Sequence, residues 1–175
     1  MEYLTKESFL KQVEELKMLN PEHWGTTEWK PGQPKATDRW SYHEKAVELL
    51  EQLQPTSILE AGSMGIELSE ESDTIDLDMP DWNWRLSYKP TYNYDLTKMP
   101  WEVIKDKQYD VFVALRVFHH MEDEANYLKE MDRIANKTIL VLNTASADRY
   151  EKVRKANIRM DFADTDSSLL FYRSL

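Results

Sequence analysis

Apolar residues recur along this chain with two different periods. Phe9, Val13 and Leu16 fall on one face of residues 5–19 at helical spacing, with Thr5 placed to cap the start and Asn20-Pro21 to stop it. Tyr42, Ala46, Leu49, Leu50 and Leu53 form a second such stripe; Ser41 is its predicted N-cap, Glu44 would complete a capping box, and Pro55 closes the helix. Short apolar runs then replace stripes. Ser57–Ala61, Thr74–Asp78, Thr91–Asp95, Asp110–Phe118 and Thr138–Asn143 read as five strands, the fourth so apolar that both its faces must be covered. The first two are so close that only a very short crossover helix, Glu67–Ser72, fits between them. Asp123 caps a helix with Leu128, Met131 and Ala135 inward, and Ser146 caps another that ends in Lys152, Arg154 and Lys155, basic residues suited to the helix dipole. Ile158–Phe162 and Ser168–Ser174 read as two last strands, turned through Asp164-Thr165-Asp166-Ser167. Strands alternating with helices, then a hairpin, predict a three-layer α/β domain: a mostly parallel sheet with a C-terminal antiparallel hairpin.

Two segments break the alternation. Residues 20–40 hold Pro21, Pro31, Pro34, Gly25 and Gly32 together with Trp24, Trp29 and Trp40, which reads as an aromatic strap packed on the body or as a lid. Pro80–Pro90 is a compact connection with Trp82 and Trp84. The expected division is residues 1–40 as N-terminal helix and strap or lid, and 41–175 as the main domain.

Composition narrows the classes. The 175 residues suffice for about one domain, and no apolar run approaches the ~20 residues of a membrane span. Cysteine is absent, which removes disulfides, thiolate catalysis and cysteine-ligated zinc or iron–sulfur sites. The segment Met1–Glu7 lacks a basic and then apolar leader pattern, and these features together lead us to expect a cytoplasmic protein with no membrane association. The formal net charge of −10 argues against a phosphate-backbone footprint, so no nucleic-acid partner is expected. A monomer or homodimer is expected.

The candidate chemistry gathers at strand ends. Two of the four glycines lie in Glu60-Ala61-Gly62-Ser63-Met64-Gly65, where an apolar strand ends on a carboxylate and enters a turn. Asp76 or Asp78 ends the second strand and Asp95 the third. A parallel sheet brings such ends to one edge, where ligands of open α/β folds bind. Carboxylates there accept hydrogen bonds from an ammonium, hydroxyls and an exocyclic amine. A phosphate would call for backbone N–H groups or basic side chains instead.

The order of these motifs resembles the class I (Rossmann-like) S-adenosylmethionine-dependent methyltransferases. The resemblance runs from about Trp40 onward and rests most on Tyr94-Asp95-Leu96-Thr97-Lys98-Met99-Pro100-Trp101, on Tyr109 through Met121, and on Leu128 through Ile134. It implies that Glu60, Ala61 and Gly62 contact the methionine part of S-adenosylmethionine, that Asp76 or Asp78 binds the ribose hydroxyls, and that Asp95 with Leu96 takes the adenine. It also implies that Arg116, Val117 and His119 line the cofactor and substrate pocket, and the order of Asp95-Leu96 and Pro100 resembles members with a small-molecule or glycan-type acceptor. His119 reads either as the catalytic base that takes a substrate proton or as a strand-end histidine hydrogen-bonded to a loop.

Two departures from that pattern stand out. The family's glycine loop repeats glycine at alternate positions, where this chain places Met64 and Ile66, and Ala135-Asn136-Lys137 replaces the Gly-Gly before the fifth strand. They motivate an alternative function: a degenerate methyltransferase-like domain that binds a ligand or partner without catalysis. The adjacent His119-His120 with Glu122 and Asp123 has no third ligand at zinc spacing, so no metal site is expected. No dinucleotide fingerprint, P-loop, nucleophile elbow or zinc-protease helix is present.

Overall fold

The computed structural model describes residues 1–19, 39–63, 65–77, 88–143, 163–165 and 168–174. For Leu16, Lys17, Leu19, His119, Leu142 and Asn143 and for residues 163–165 and 168–174 the description is of the backbone. Helix α1 spans Lys6–Leu19 and starts as expected, with the Ser8 N–H donating to the Thr5 hydroxyl at 3.1 Å. Helix α2 spans Trp40–Leu53. Its start differs from expectation: the N-cap is Arg39, with no side-chain cap, and Trp40 begins the helix instead of ending a loop. Glu44 forms no capping box because its carboxylate accepts the Trp40 indole N–H at 3.1 Å. Pro55 does follow the end of α2, where Gln54 turns left-handed.

Seven strands follow: β1 (Ile58–Ala61), β2 (Asp73–Asp76), β3 (Tyr92–Asn93), β4 (Tyr109–Leu115), β5 (Ala135–Asn143), β6 (Ala163–Thr165) and β7 (Ser168–Ser174), with helix α3 (Glu124–Ile134) between β4 and β5. They form one sheet in the order β3-β2-β1-β4-β5-β7-β6. The first five are parallel. β7 runs antiparallel to β5 and to β6. Ala163–Thr165 is strand, so Asp164 and Thr165 are not turn residues as predicted. The predicted strand Ile158–Phe162, the helix capped by Ser146, the loop tryptophans Trp24 and Trp29, and Trp82 and Trp84 lie outside the described residues. No helix spans Glu67–Ser72; that connection is a turn, with the Ser72 N–H donating to the Ser69 carbonyl at 3.1 Å.

Alternation along β4 explains the layers. Val111 and Val113 join Ile58, Ile139, Val141 and the buried faces of α1 and α2 on one side of the sheet. Phe112 and Ala114 join Leu59, Leu140 and α3 on the other. A strand that buries successive side chains on opposite faces must be apolar throughout, which is why the fourth run carried no polar alternation. Phe9 of α1 packs on Trp40 and His43 of α2, with ring centroids 5.5 and 5.0 Å apart. Asp123 caps α3 as expected by accepting the Asn126 N–H at 3.1 Å.

Under the α3 face, Tyr127 packs edge-on against Trp101, Phe112 and Phe118. Its hydroxyl is buried and meets no hydrogen-bond partner among the described residues, and burial pushes its pKa up. Leaving a buried donor unmade costs about 1 kcal/mol or more. Tyr127→Phe is therefore expected to raise stability by about 1 kcal/mol, read as a higher melting temperature; a loss of that size would show that the hydroxyl is satisfied.

Candidate functional site

The chain winds outward from β1 to β3, returns, and adds β4 on the other side of β1. Strand order thus reverses between β1 and β4, the place where open α/β sheets leave a crevice at their C-terminal edge. Ala61, the last residue of β1, is buried there beside Ala114 of β4. Gly62 follows with φ +65°, and its N–H donates to the Ile75 carbonyl of β2 at 3.1 Å. A Cβ on Gly62 would stand 2.6 Å from Val117 Cγ2 and 3.8 Å from Leu96 Cδ1. Three chain segments therefore converge on one glycine: the exits of β1, β3 and β4. Only glycine meets both demands, left-handed backbone and no side chain. Met64 lies outside the described residues.

The carboxylates occupy distinct settings. Asp76 ends β2; its Oδ1 accepts the Leu77 N–H at 2.8 Å and its carbonyl accepts the Tyr94 N–H at 3.0 Å. Asp78 lies outside the described residues. Asp95 sits two residues past β3, where Oδ1 accepts the Thr97 hydroxyl at 2.7 Å and its N–H at 3.0 Å, and the Lys98 ammonium lies 3.4 Å from Oδ2. The Thr97 hydroxyl and N–H hold the Asp95 carboxyl below its ordinary value, so it is charged at neutral pH. Leu96 beside it is anchored through its carbonyl, which accepts the Trp101 indole N–H at 3.2 Å.

Glu60 is different. Its side chain turns to the β1–β2 connection, where Oε1 accepts the Leu68 N–H at 2.8 Å. Burial pushes this carboxyl up to about 8. On the α2 side of the sheet, burial takes the His43 imidazole down to about 4, and its Nδ1 donates to the Arg39 carbonyl at 2.8 Å. Between pH 4.5 and 8 the unfolded chain has released the Glu60 proton that the fold retains, so rising pH destabilises. Between pH 6.5 and 4 the unfolded chain holds a His43 proton that the fold excludes, so falling pH destabilises. The two effects oppose each other up to pH 6.5, and Glu60 acts alone above it. Stability should fall by on the order of 2 kcal/mol from pH 6.5 to 8. Glu60→Gln, which keeps an acceptor for Leu68, should flatten that decline in urea melts; a decline that persists in the variant assigns it to other groups.

Beyond β4, Arg116 is left-handed at φ +60°, and its N–H donates to the Val141 carbonyl at 2.8 Å. Its guanidinium carbon stands 5.7 Å from the Tyr42 ring centroid. Val117 is buried, and His119 lies on the short 3-10 turn Phe118–His120. The predicted strand Asp110–Phe118 is thus shorter, because the backbone reverses at Arg116. The structure also brings in Tyr88, which the sequence reading did not single out: its buried hydroxyl is 3.1 Å from the Ser63 hydroxyl, next to the glycine turn. Its only signal was a polar aromatic late in the Trp-rich connection. Among the described residues no group of three His, Asp or Glu is placed to hold a metal, and no helix is long and apolar enough to cross a membrane.

This edge combines a close backbone approach at Gly62, an apolar contact surface in Leu96 and Val117, and acceptor carboxylates at the ends of β2 and β3. It suits a ligand with hydroxyl and amine donors.

Known proteins share this architecture. A Methanococcus maripaludis protein assigned as an S-adenosyl-L-methionine-dependent methyltransferase superposes with a TM-score of 0.57 at 13% identity, over 99% of this chain and 96% of its own. An Aquifex aeolicus S-adenosylmethionine-dependent methyltransferase gives 0.53 at 14%, over 92% and 97%. An Escherichia coli rRNA methylase gives 0.56 at 10%, over 98% and 78%. At these identities the likeness is one of fold. No curated protein matches the chain in sequence. The family described as Methyltransferase domain matches residues 50–141, more than half of the 175 residues. The chain belongs to the methyltransferase-domain family.

Proposed function

We propose that the chain is an S-adenosylmethionine-dependent methyltransferase acting on a small-molecule or glycan-type acceptor. The observation that carries the proposal is the convergence of Gly62, Leu96 and Val117 at the point of strand-order reversal, with Asp76 and Asp95 at the neighbouring strand ends. The donor chemistry fits the cofactor. Asp76 or Asp78 would take the ribose hydroxyls, Asp95 and Leu96 the adenine, and the backbone of Glu60, Ala61 and Gly62 the methionine part. The cofactor supplies an electrophilic methyl carbon on a sulfonium that becomes a neutral thioether. The chain's part is positioning and water exclusion, with His119 proposed to take the proton that the attacking oxygen or nitrogen loses. Residues 1–40 are proposed as a strap, a reading supported by the packing of α1 on α2 through Phe9. The net charge of −10 favours a small acceptor over a nucleic acid.

Calorimetry with S-adenosylmethionine and S-adenosylhomocysteine tests the proposal. Saturable binding below about 1 mM is expected, and no binding at millimolar ligand would sink it. One observation favours the second reading, binding without catalysis: a Val117 methyl group fills the space beside Gly62. Methyl transfer to any acceptor, lost in Asp95→Ala with the fold retained, rejects that reading.

A further inference from the structure

The glycine turn carries Met64 and Ile66 where its family repeats glycine, and the Ile66 side chain is buried in the apolar cluster of α1 and α2. Ser63 ties this turn together. Its carbonyl accepts the Ile66 N–H at 3.1 Å, and its side-chain oxygen accepts the Gly65 N–H at 3.4 Å. The Tyr88 hydroxyl stands 3.1 Å from that same oxygen. One serine therefore links the turn to a tyrosine 25 residues further along the chain.

Tyr88 is a fixed point for that link. It is 5% exposed, and its segment is fastened to the sheet three residues later. There the Thr91 N–H donates to Thr74 Oγ1 at 3.1 Å and the Thr74 N–H donates to Thr91 Oγ1 at 3.0 Å. Thr74 of β2 lies level with Glu60 of β1. Tyr88 thus braces the turn from the β2–β3 side, while Glu60 Oε1 holds the Leu68 N–H on the turn's far flank. Packing alone would be served by phenylalanine; a buried phenol needs a partner, and the partner here is beside Gly62. A hydroxyl offers one proton and accepts two bonds, and a phenol is the more acidic donor of the pair. With Tyr88 and Gly65 both donating to the Ser63 oxygen, the Ser63 proton has no acceptor among the described residues.

We propose that Tyr88 is a positioning residue for the amino-acid end of the cofactor: it braces the glycine turn through Ser63 and leaves the Ser63 proton to the ligand's carboxylate. The proposal rests on the methyltransferase reading, which puts the methionine part at Glu60, Ala61 and Gly62, the residues just before Ser63. A hydroxyl held in place by a second hydroxyl loses less freedom when it meets a carboxylate, and a hydrogen bond to a charged acceptor is the stronger kind.

The test titrates the full chain with S-adenosylhomocysteine and with methylthioadenosine, which keeps the adenine, ribose and thioether but has no amino-acid end. Tyr88→Phe keeps the ring and should weaken S-adenosylhomocysteine about fivefold, leaving methylthioadenosine within about twofold. Ser63→Ala should weaken S-adenosylhomocysteine about tenfold or more, and adding Tyr88→Phe to it should have no further effect. Unchanged binding in Tyr88→Phe, equal weakening of both ligands, or additive effects in the double variant each overturn the proposal. If Tyr88→Phe fails a thermal melt, Ser63→Ala, which leaves the Tyr88 ring in place, decides by the same comparison of ligands. Amide exchange at Gly65 and Ile66 reads the brace without any ligand. It should be about fivefold faster in Tyr88→Phe, and unchanged exchange overturns the brace. Failure of the parent chain to bind S-adenosylhomocysteine counts against the methyltransferase reading and overturns the carboxylate contact with it; the exchange result then decides the brace alone.

Discussion

Gly62→Ala is expected to destabilise the protein by about 2–5 kcal/mol and to remove cofactor binding. Two independent costs add. Placing a Cβ at φ +65° costs about 1–2 kcal/mol. The new methyl would also stand 2.6 Å from Val117 Cγ2, and overpacking of a tight site costs about 1–3 kcal/mol. Val117 is β-branched and buried, so it cannot swing aside as a long flexible side chain would. Adding Val117→Ala should restore the packing part and leave the backbone part, a split that denaturant melts of the single and double variants resolve. Full recovery in the double variant would mean that the backbone conformation carries no cost. No loss in Gly62→Ala would contradict the convergence on which the site is built.

Arg133→Met is expected to cost about 3 kcal/mol and to loosen the adenine end of the site. The Arg133 guanidinium pairs with Glu130 at 2.5 and 3.0 Å, donates to the carbonyls of Ile104 at 2.8 Å and Trp101 at 3.2 Å, and reaches Asp106 at 2.7 Å. Glu130 is 5% exposed and also accepts the Trp101 N–H at 2.7 Å. Removing the cation leaves a buried carboxylate unpaired, which typically costs about 3–5 kcal/mol. The partial exposure of Arg133 places the expected value at the low end. The same cluster pins Trp101, whose indole holds Leu96, so the effect should reach cofactor affinity as well as stability. Lysine cannot reproduce the planar fork, so Arg133→Lys should rescue little. A loss below about 1 kcal/mol in urea melts would show that the cluster acts as an ordinary surface ion pair.

Where sequence and structure agree, burial on both sides of an element made its pattern unambiguous. The all-apolar β4 run could serve only as a central strand, and Thr5 and Asp123 stood at the helix starts they cap. The misreadings share one cause: a specific hydrogen bond, near or far along the chain, overrode a propensity rule. Ser41 and Glu44 spell a capping box, but the Trp40 indole takes the Glu44 carboxylate and the helix begins earlier. Residues 67–72 form a turn because the link must deliver the Leu68 N–H to buried Glu60. Nothing in Leu115-Arg116-Val117 announces a left-handed arginine; the β5 carbonyl of Val141 fixes it from far along the chain. In the candidate site, Gly62, Leu96 and Val117 were singled out separately through the resemblance, and the structure brings them together because strand topology unites their segments. Tyr88 went unread, and Tyr42 was read only as part of an apolar helical stripe, because no spacing rule links a tyrosine to a sheet edge formed by other segments. Glu60 was legible as a strand-end acid, but not as one whose side chain the fold itself uses.

The most direct test of the central claim is a crystal structure of the chain with S-adenosylhomocysteine. The expected result places the thioether ligand at the C-terminal edge of β1 and β4, its ribose hydroxyls on Asp76 or Asp78, its adenine against Leu96 near Asp95, and the backbone of Gly62 at its amino-acid end. A ligand bound elsewhere, or one bound at that edge without contact to Gly62 or to any of the three aspartates, would contradict it.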